Sequence, residues 1–270
     1  MQAPPAIDGD GRDVIERDVV ASERRVRTAE EAVVVYEIER TATAIVDGGY
    51  QMVALQFPDE LLADSTLVAE QLQSRVTAHI FVLADTSYGS CCVDEVAAQH
   101  YHADLVVHYG RTCLSLTSQL PVLYVFGREH IDIDDVVQQA EQELNGKKVV
   151  LVGDVPYMHM LDEIAQRIKA EQVAVARISA QDQVYVPTQQ NGSNITPGRS
   201  WSELTGPVSE YTMLYIGEES PTLTNLLVTM RFESAYSYQP SAKQLRLESS
   251  KVNRHLGQRY HMVQRVKDAS

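Results

Sequence analysis

The residues of this chain best suited to chemistry lie in one stretch. All three cysteines, Cys91, Cys92 and Cys113, fall within the 35 residues Ala84–Ser118. His100, His102 and His108 lie there too. A thiolate, once formed, binds soft metals or attacks electrophiles. The bland alternative is that small cysteines simply pack a sheet. A structural zinc site wants four ligands, so the histidines would have to complete the set. On a helix His100 would stand about 13 Å from Cys91, too far to share an ion. Cysteine thiolates also hold iron–sulfur clusters, although no CxxC occurs. A cysteine nucleophile would need a base such as His108. His108 sits inside a strand pattern, where a side chain packs or bonds locally. Glu218 and Glu219 follow another strand. They are either a solvated pair or a site for a cation or an amino group. No GxGxxG and no GxxxxGK[ST] is present, so the common nucleotide fingerprints are missing.

The elements around these residues follow from hydrophobic patterning. Met52–Phe57 is nearly all apolar, as a strand buried on both faces should be. Pro58 stops it, and Asp59 is a candidate N-cap for a helix over Glu60–Gln73. Strand His79–Ala84 leads into Tyr88-Gly89-Ser90. Cys91-Cys92 then opens a helix running to about His100, where backbone N–H groups would favour thiolates. Strand Leu105–His108 runs into Gly110-Arg111-Thr112-Cys113. Both cysteine loops thus follow the carboxyl ends of strands, where open parallel sheets bind ligands. Ala32–Val46 has helical spacing, ended by Gly48-Gly49. Val122–Phe126 is a further strand and Ile133–Leu144 a helix.

The order then repeats: strand Val149–Val152, helix Tyr157–Ala170, strand Val173–Ile178. This resembles the order of Gly49–Val82, a weak internal repeat. Asp182–Pro207 is a polar excursion. Strand Tyr211–Ile216 and the loop Gly217-Glu218-Glu219 follow. Ser220-Pro221 starts a helix over Thr222–Met230, with Ser220 as cap. Ser234–Tyr238 and Gln244–Leu247 are short strands, and Ser250–Lys267 is a last helix. Strands separated by helices predict parallel βαβ units. The expected fold is α/β, in two repeated units, each a short mostly parallel sheet flanked by helices. The expected divisions are a disordered leader over 1–31, a first domain with the cysteine loops over 32–130, and a second over 131–270.

Composition narrows the function classes. The 270 residues carry 23 Lys and Arg against 37 Asp and Glu, a formal net charge of −14. That disfavours broad nucleic-acid binding, which needs a basic footprint. No apolar run approaches the roughly 20 residues of a membrane helix, and no signal peptide is visible. Three cysteines, two of them adjacent, make a poor disulfide framework. A cytoplasmic protein is expected.

The stretch Asp85–Ser115, DTSYGSCCVDEVAAQHYHADLVVHYGRTCLS, closely resembles the diphthamide biosynthesis proteins, the subunits of 2-(3-amino-3-carboxypropyl)histidine synthase. LQFPDELL at Leu55–Leu62 matches the start of that family. Tyr215–Leu227, YIGEESPTLTNLL, and the closing RLESSKVNRHLGQRYHMVQRVKDA resemble subunit 2 of the eukaryotic enzyme more than subunit 1. The resemblance implies the first step of diphthamide formation. A 3-amino-3-carboxypropyl group passes from S-adenosylmethionine to a histidine of translation elongation factor 2, with a 4Fe–4S cluster cleaving the sulfonium. It also implies a heterodimer with subunit 1, which carries the catalytic cluster, while subunit 2 assists by helping keep it reduced. An electron-donor protein is a further possible partner.

The match carries Cys91, Cys92 and Cys113 over as cluster-region residues and assigns no catalytic residue. The family has a third α/β domain with another cluster cysteine. Here no cysteine follows Cys113, and the chain reads as two of the three domains. The expectation is an accessory subunit, inactive alone. The rival is a cluster-free scaffold that only stabilises its partner.

Overall fold

The computed structural model describes residues 27–83, 92–112, 114–115, 117–178, 183–187, 199–201, 204–249 and 253–268. Two sheets organise the molecule. The first holds β1 (Met52–Gln56), β2 (His79–Leu83), β3 (Leu105–Tyr109) and β4 (Val122–Val125), all parallel, in the order β2-β1-β3-β4. The second holds β5 (Lys148–Gly153), β6 (Gln172–Ile178), β7 (Arg199–Trp201), β8 (Tyr211–Ile216), β9 (Ser234–Gln239) and β10 (Gln244–Leu247), in the order β10-β9-β8-β5-β6-β7. Its four middle strands are parallel, and β7 and β10 are antiparallel edges. The middle strands β6-β5-β8-β9 reproduce the first sheet's order strand for strand. The repeat expected from element order is therefore a repeat of topology.

The helices α1 (Ala29–Val35), α2 (Ile38–Gly48) and α3 (Ser65–Gln73) cover one face of the first sheet, burying Tyr36, Ile38, Ile45, Val68 and Leu72 against Val53, Leu55 and Val107. The single helix expected over Ala32–Val46 is broken in two. Glu37 adopts φ 48°, and its neighbour Tyr36 turns its hydroxyl onto Asp64 at 2.6 Å. Thr28 caps α1 through a capping box with Glu31, so the first turn is satisfied from Ala29 onward. Asp59 is not a cap. Pro58 holds that place without a side-chain bond, and Asp59–Asp64 forms a 3-10 turn before α3. The other face of the first sheet carries α4 (Glu95–His100). Its core includes Ala54, Val106 and Tyr124 together with Val155, Met158, Ile178 and Tyr185 from the second half, so the two units share it. The second sheet is covered by α5 (Ile133–Leu144) and α6 (Leu161–Arg167) on one side and α7 (Pro221–Thr229) on the other. The closing helix α8 is Arg254–Asp268. Among the described residues no helix is long and apolar enough to cross a membrane.

Candidate functional site

The helix after the cysteine pair starts later than its sequence suggests. Asp94 is the N-cap of α4, accepting from the Ala97 N–H at 2.9 Å, so Cys92 lies ahead of the helix and does not open it. Gln56, the buried last residue of β1, explains the delay. Its side-chain amide donates to the Cys92 carbonyl at 2.7 Å and accepts from the Asp94 N–H at 3.0 Å. The chain at Cys92–Asp94 is thereby pinned to the strand end. Cys92 itself is half-buried. Glu95 performs the matching task for the second loop. Its carboxylate accepts from the N–H groups of Ser118, Gln119 and Leu120 at 2.7–3.1 Å. One short helix thus ties the segment after Cys92 to the segment after Cys113. Cys91 and Cys113 lie outside the described residues, so the expected convergence of Cys91, Cys92 and Cys113 is not measured. Among the described residues no three His, Cys, Asp or Glu side chains converge as metal ligands.

The histidines separate clearly. His100, the last residue of α4, and His102, just beyond it, are exposed. His108 is fully buried on β3, in register with Gln56 and stacked obliquely 5.9 Å from Tyr124. Neither ring nitrogen bonds another described residue, and burial pushes its pKa down to about 4. It is a neutral imidazole at pH 7, poorly matched to general-base work there.

A cavity of about 260 Å³ lies at the carboxyl ends of both sheets. In each sheet the chain passes from the first strand to a neighbour on one side and later returns to the other side. The switch falls between β1 and β3, and between β5 and β8. Such points are where open α/β sheets bind ligands. The cavity joins the two: Pro58, Gly110 and Arg111 come from the first switch, and Pro156, Tyr157 and Glu218 from the second.

Arg111 bridges the units by an ion pair with Asp154, whose side chain is 1% exposed. Asp154 also accepts from the Val155 N–H at 2.9 Å. Burial raises its pKa, and Arg111 is the largest influence opposing that rise. Arg199 lies close by, donating to the Gly153 carbonyl at 2.9 Å, and burial lowers its pKa. Tyr215 shares a hydrogen bond with Ser220 at 3.1 Å, and burial raises its pKa. Ser220 caps α7 as expected, accepting from the Leu223 N–H at 3.3 Å.

The glutamate pair divides. Glu218 lines the cavity, whereas Glu219 is ion-paired to Arg246 at 3.2 Å. Arg111 and Asp154 escaped the sequence reading because lone charges after strands look like solvated loop residues, and Arg199 because it lies in the polar excursion expected over Asp182–Pro207. The one visible signal was position: Arg111 stands two residues after β3 and Asp154 directly after β5, both at carboxyl strand ends.

The fold and the double switch point define an α/β protein built from repeated units. Residues 57–270 match the family model described as "Putative diphthamide synthesis protein", and the chain belongs to that family. Among curated relatives, 2-(3-amino-3-carboxypropyl)histidine synthase subunit 2 of Schizosaccharomyces pombe is 39% identical over all of this chain and 54% of its own length. The protein of the same name from Xenopus laevis is 40% identical over 87% of this chain and 49% of its own. The chain therefore spans about half the length of these relatives. A crystal structure of Dph2 from Pyrococcus horikoshii with a 4Fe-4S cluster superposes with a TM-score of 0.56, at 18% identity, covering 79% of this chain and 61% of that one. That likeness is one of fold.

Proposed function

We propose that this chain acts as the accessory subunit of the synthase that transfers a 3-amino-3-carboxypropyl group from S-adenosylmethionine to a histidine of elongation factor 2. The observation that carries the reading is the extended match to synthase subunit 2. Cys91, Cys92 and Cys113 would hold a 4Fe–4S cluster. The donor chemistry fits: three thiols fall in one stretch of sequence, Cys92 lies at the carboxyl end of β1 through Gln56, and the buried imidazole of His108 beside Gln56 bonds no other described residue. When bound, such a cluster supplies the electron that sulfonium cleavage requires. The chain's own residues set its surroundings. Gln56 fixes the backbone at Cys92, Glu95 fixes the segment at Ser118–Leu120, and the shared core keeps the two sheet edges facing one space.

The partner would be subunit 1, with an electron-donor protein serving the pair, in the cytoplasm. The test is anaerobic co-expression with subunit 1, followed by iron content, EPR and label transfer to elongation factor 2. We expect transfer only from the pair, and iron in this chain that falls when Cys91, Cys92 and Cys113 are replaced by Ala. Transfer by the pair with no iron on this chain would replace the reading by a cluster-free scaffold. No transfer from the pair would end it.

A further inference from the structure

The repeat places opposite charges at equivalent positions of the cavity. β3 and β8 occupy the same place in their sheets. Each runs into a glycine with positive φ, Gly110 at 82° and Gly217 at 148°. Each glycine N–H donates to a carbonyl at the end of the next strand, Val125 at 2.8 Å and Tyr238 at 3.0 Å. Each glycine also lies against the chain leaving the first strand of its unit. A Cβ at Gly110 would meet Pro58 at 2.9 Å, and one at Gly217 would meet Asp154 at 2.7 Å. The next residue is Arg111 in one unit and Glu218 in the other, and both line the cavity.

We propose that Arg111 and Glu218 clamp the α-amino-acid end of a ligand, Arg111 taking its carboxylate and Glu218 its ammonium. The inference rests on the proposed function in one respect: the 3-amino-3-carboxypropyl group is such an end. Arg111 is suited to the task. Buried Asp154 holds its guanidinium from outside the cavity, yet 45% of the side chain remains exposed. The ion pair engages one terminal nitrogen, Nη2, and leaves the other N–H donors of the planar fork for a ligand. Glu218 is steadied by the Ser241 N–H, which donates to Oε1 at 2.7 Å. Its Oε2 takes no hydrogen bond from a described residue.

The other charged walls already have partners, Glu60 among them. Arg27 is held by Asp64 and Tyr36, Arg128 by Glu37, and Glu129 accepts from the Tyr157 hydroxyl. At about 260 Å³ the cavity is smaller than the roughly 300–1,000 Å³ of sites that enclose drug-sized ligands. It suits an amino-acid end and leaves a nucleoside outside. Asp154 is a positioning residue that acts through Arg111.

The test is calorimetric titration of the full chain with S-adenosylmethionine and with 5′-methylthioadenosine, which lacks the amino-acid end. The variants are E218Q, R111K, and R111Q combined with D154N, so that no carboxylate is left buried and unpaired. Melting curves confirm that each variant folds. The wild-type chain should bind S-adenosylmethionine and discriminate against methylthioadenosine. E218Q and the R111Q/D154N double variant should each weaken S-adenosylmethionine binding about ten-fold or more and leave methylthioadenosine unaffected. R111K should retain part of the affinity. Affinity within two-fold of wild type in both variants would overturn the clamp. So would equal binding of the two ligands, or no binding by the wild-type chain. None of these results touches label transfer and iron content in the co-expressed pair, by which the proposed function itself stands or falls.

Discussion

Replacing Arg111 by Ala should destabilise the fold in a pH-dependent way. Asp154 is almost wholly buried, and Arg111 is its counter-charge from the other unit. Two unit charges about 4 Å apart interact by roughly 4 kcal/mol at an effective dielectric of about 20. Arg111 is nearly half exposed, so solvent screening reduces that figure to about 2 kcal/mol at pH 7. Burial already raises the Asp154 pKa, and losing Arg111 raises it further. A carboxylate whose folded pKa lies above its unfolded value binds more protons when folded. Stability then falls as pH rises through the folded pKa. The variant should therefore lose stability between acidic and neutral pH, and the gap to wild type should narrow toward about pH 4, near the unfolded value of Asp. Urea denaturation at several pH values between these limits measures this. Adding D154N to R111A should recover part of the loss, because no unpaired carboxylate remains. A gap below about 0.5 kcal/mol at pH 7, or one that does not change with pH, would refute the reasoning.

Two further outcomes follow from single contacts. Gln56→Leu leaves the Cys92 carbonyl and the Asp94 N–H without their partner, at a cost of about 1–3 kcal/mol; hydrogen exchange at Val93–Glu95 should quicken, and unchanged protection would show that Gln56 does not hold the loop. Ser220→Ala removes the α7 cap and the partner of the Tyr215 hydroxyl together, so it should cost about 1–2 kcal/mol in urea denaturation, whereas a loss under about 0.3 kcal/mol would mean the cap is replaced from elsewhere.

The sequence alone determined the layers and the location of the ligand edge. Runs such as Met52–Gln56 and Lys148–Val152 are buried on both faces, and only a parallel sheet covered by helices satisfies them. Glycines after β3 and β8 marked the loops, and Ser220-Pro221 marked a helix start that stands as expected. The family was legible because the cysteine motif is specific. The tertiary structure decided which polar residues matter. Gln56 reads as one more residue of the strand Met52–Phe57 until its amide is seen holding Cys92 and Asp94, 36 and 38 residues away. That long-range bond moved the helix start from Cys91 to Glu95. Arg111 and Asp154 are ordinary loop charges until two sheets bring them together. Glu218 and Glu219, adjacent in the chain, face different partners: Glu218 accepts from the Ser241 N–H, and Glu219 pairs with Arg246. Local pattern encodes burial, which each residue carries with it. Pairing depends on what the fold places opposite, and no window of sequence contains that.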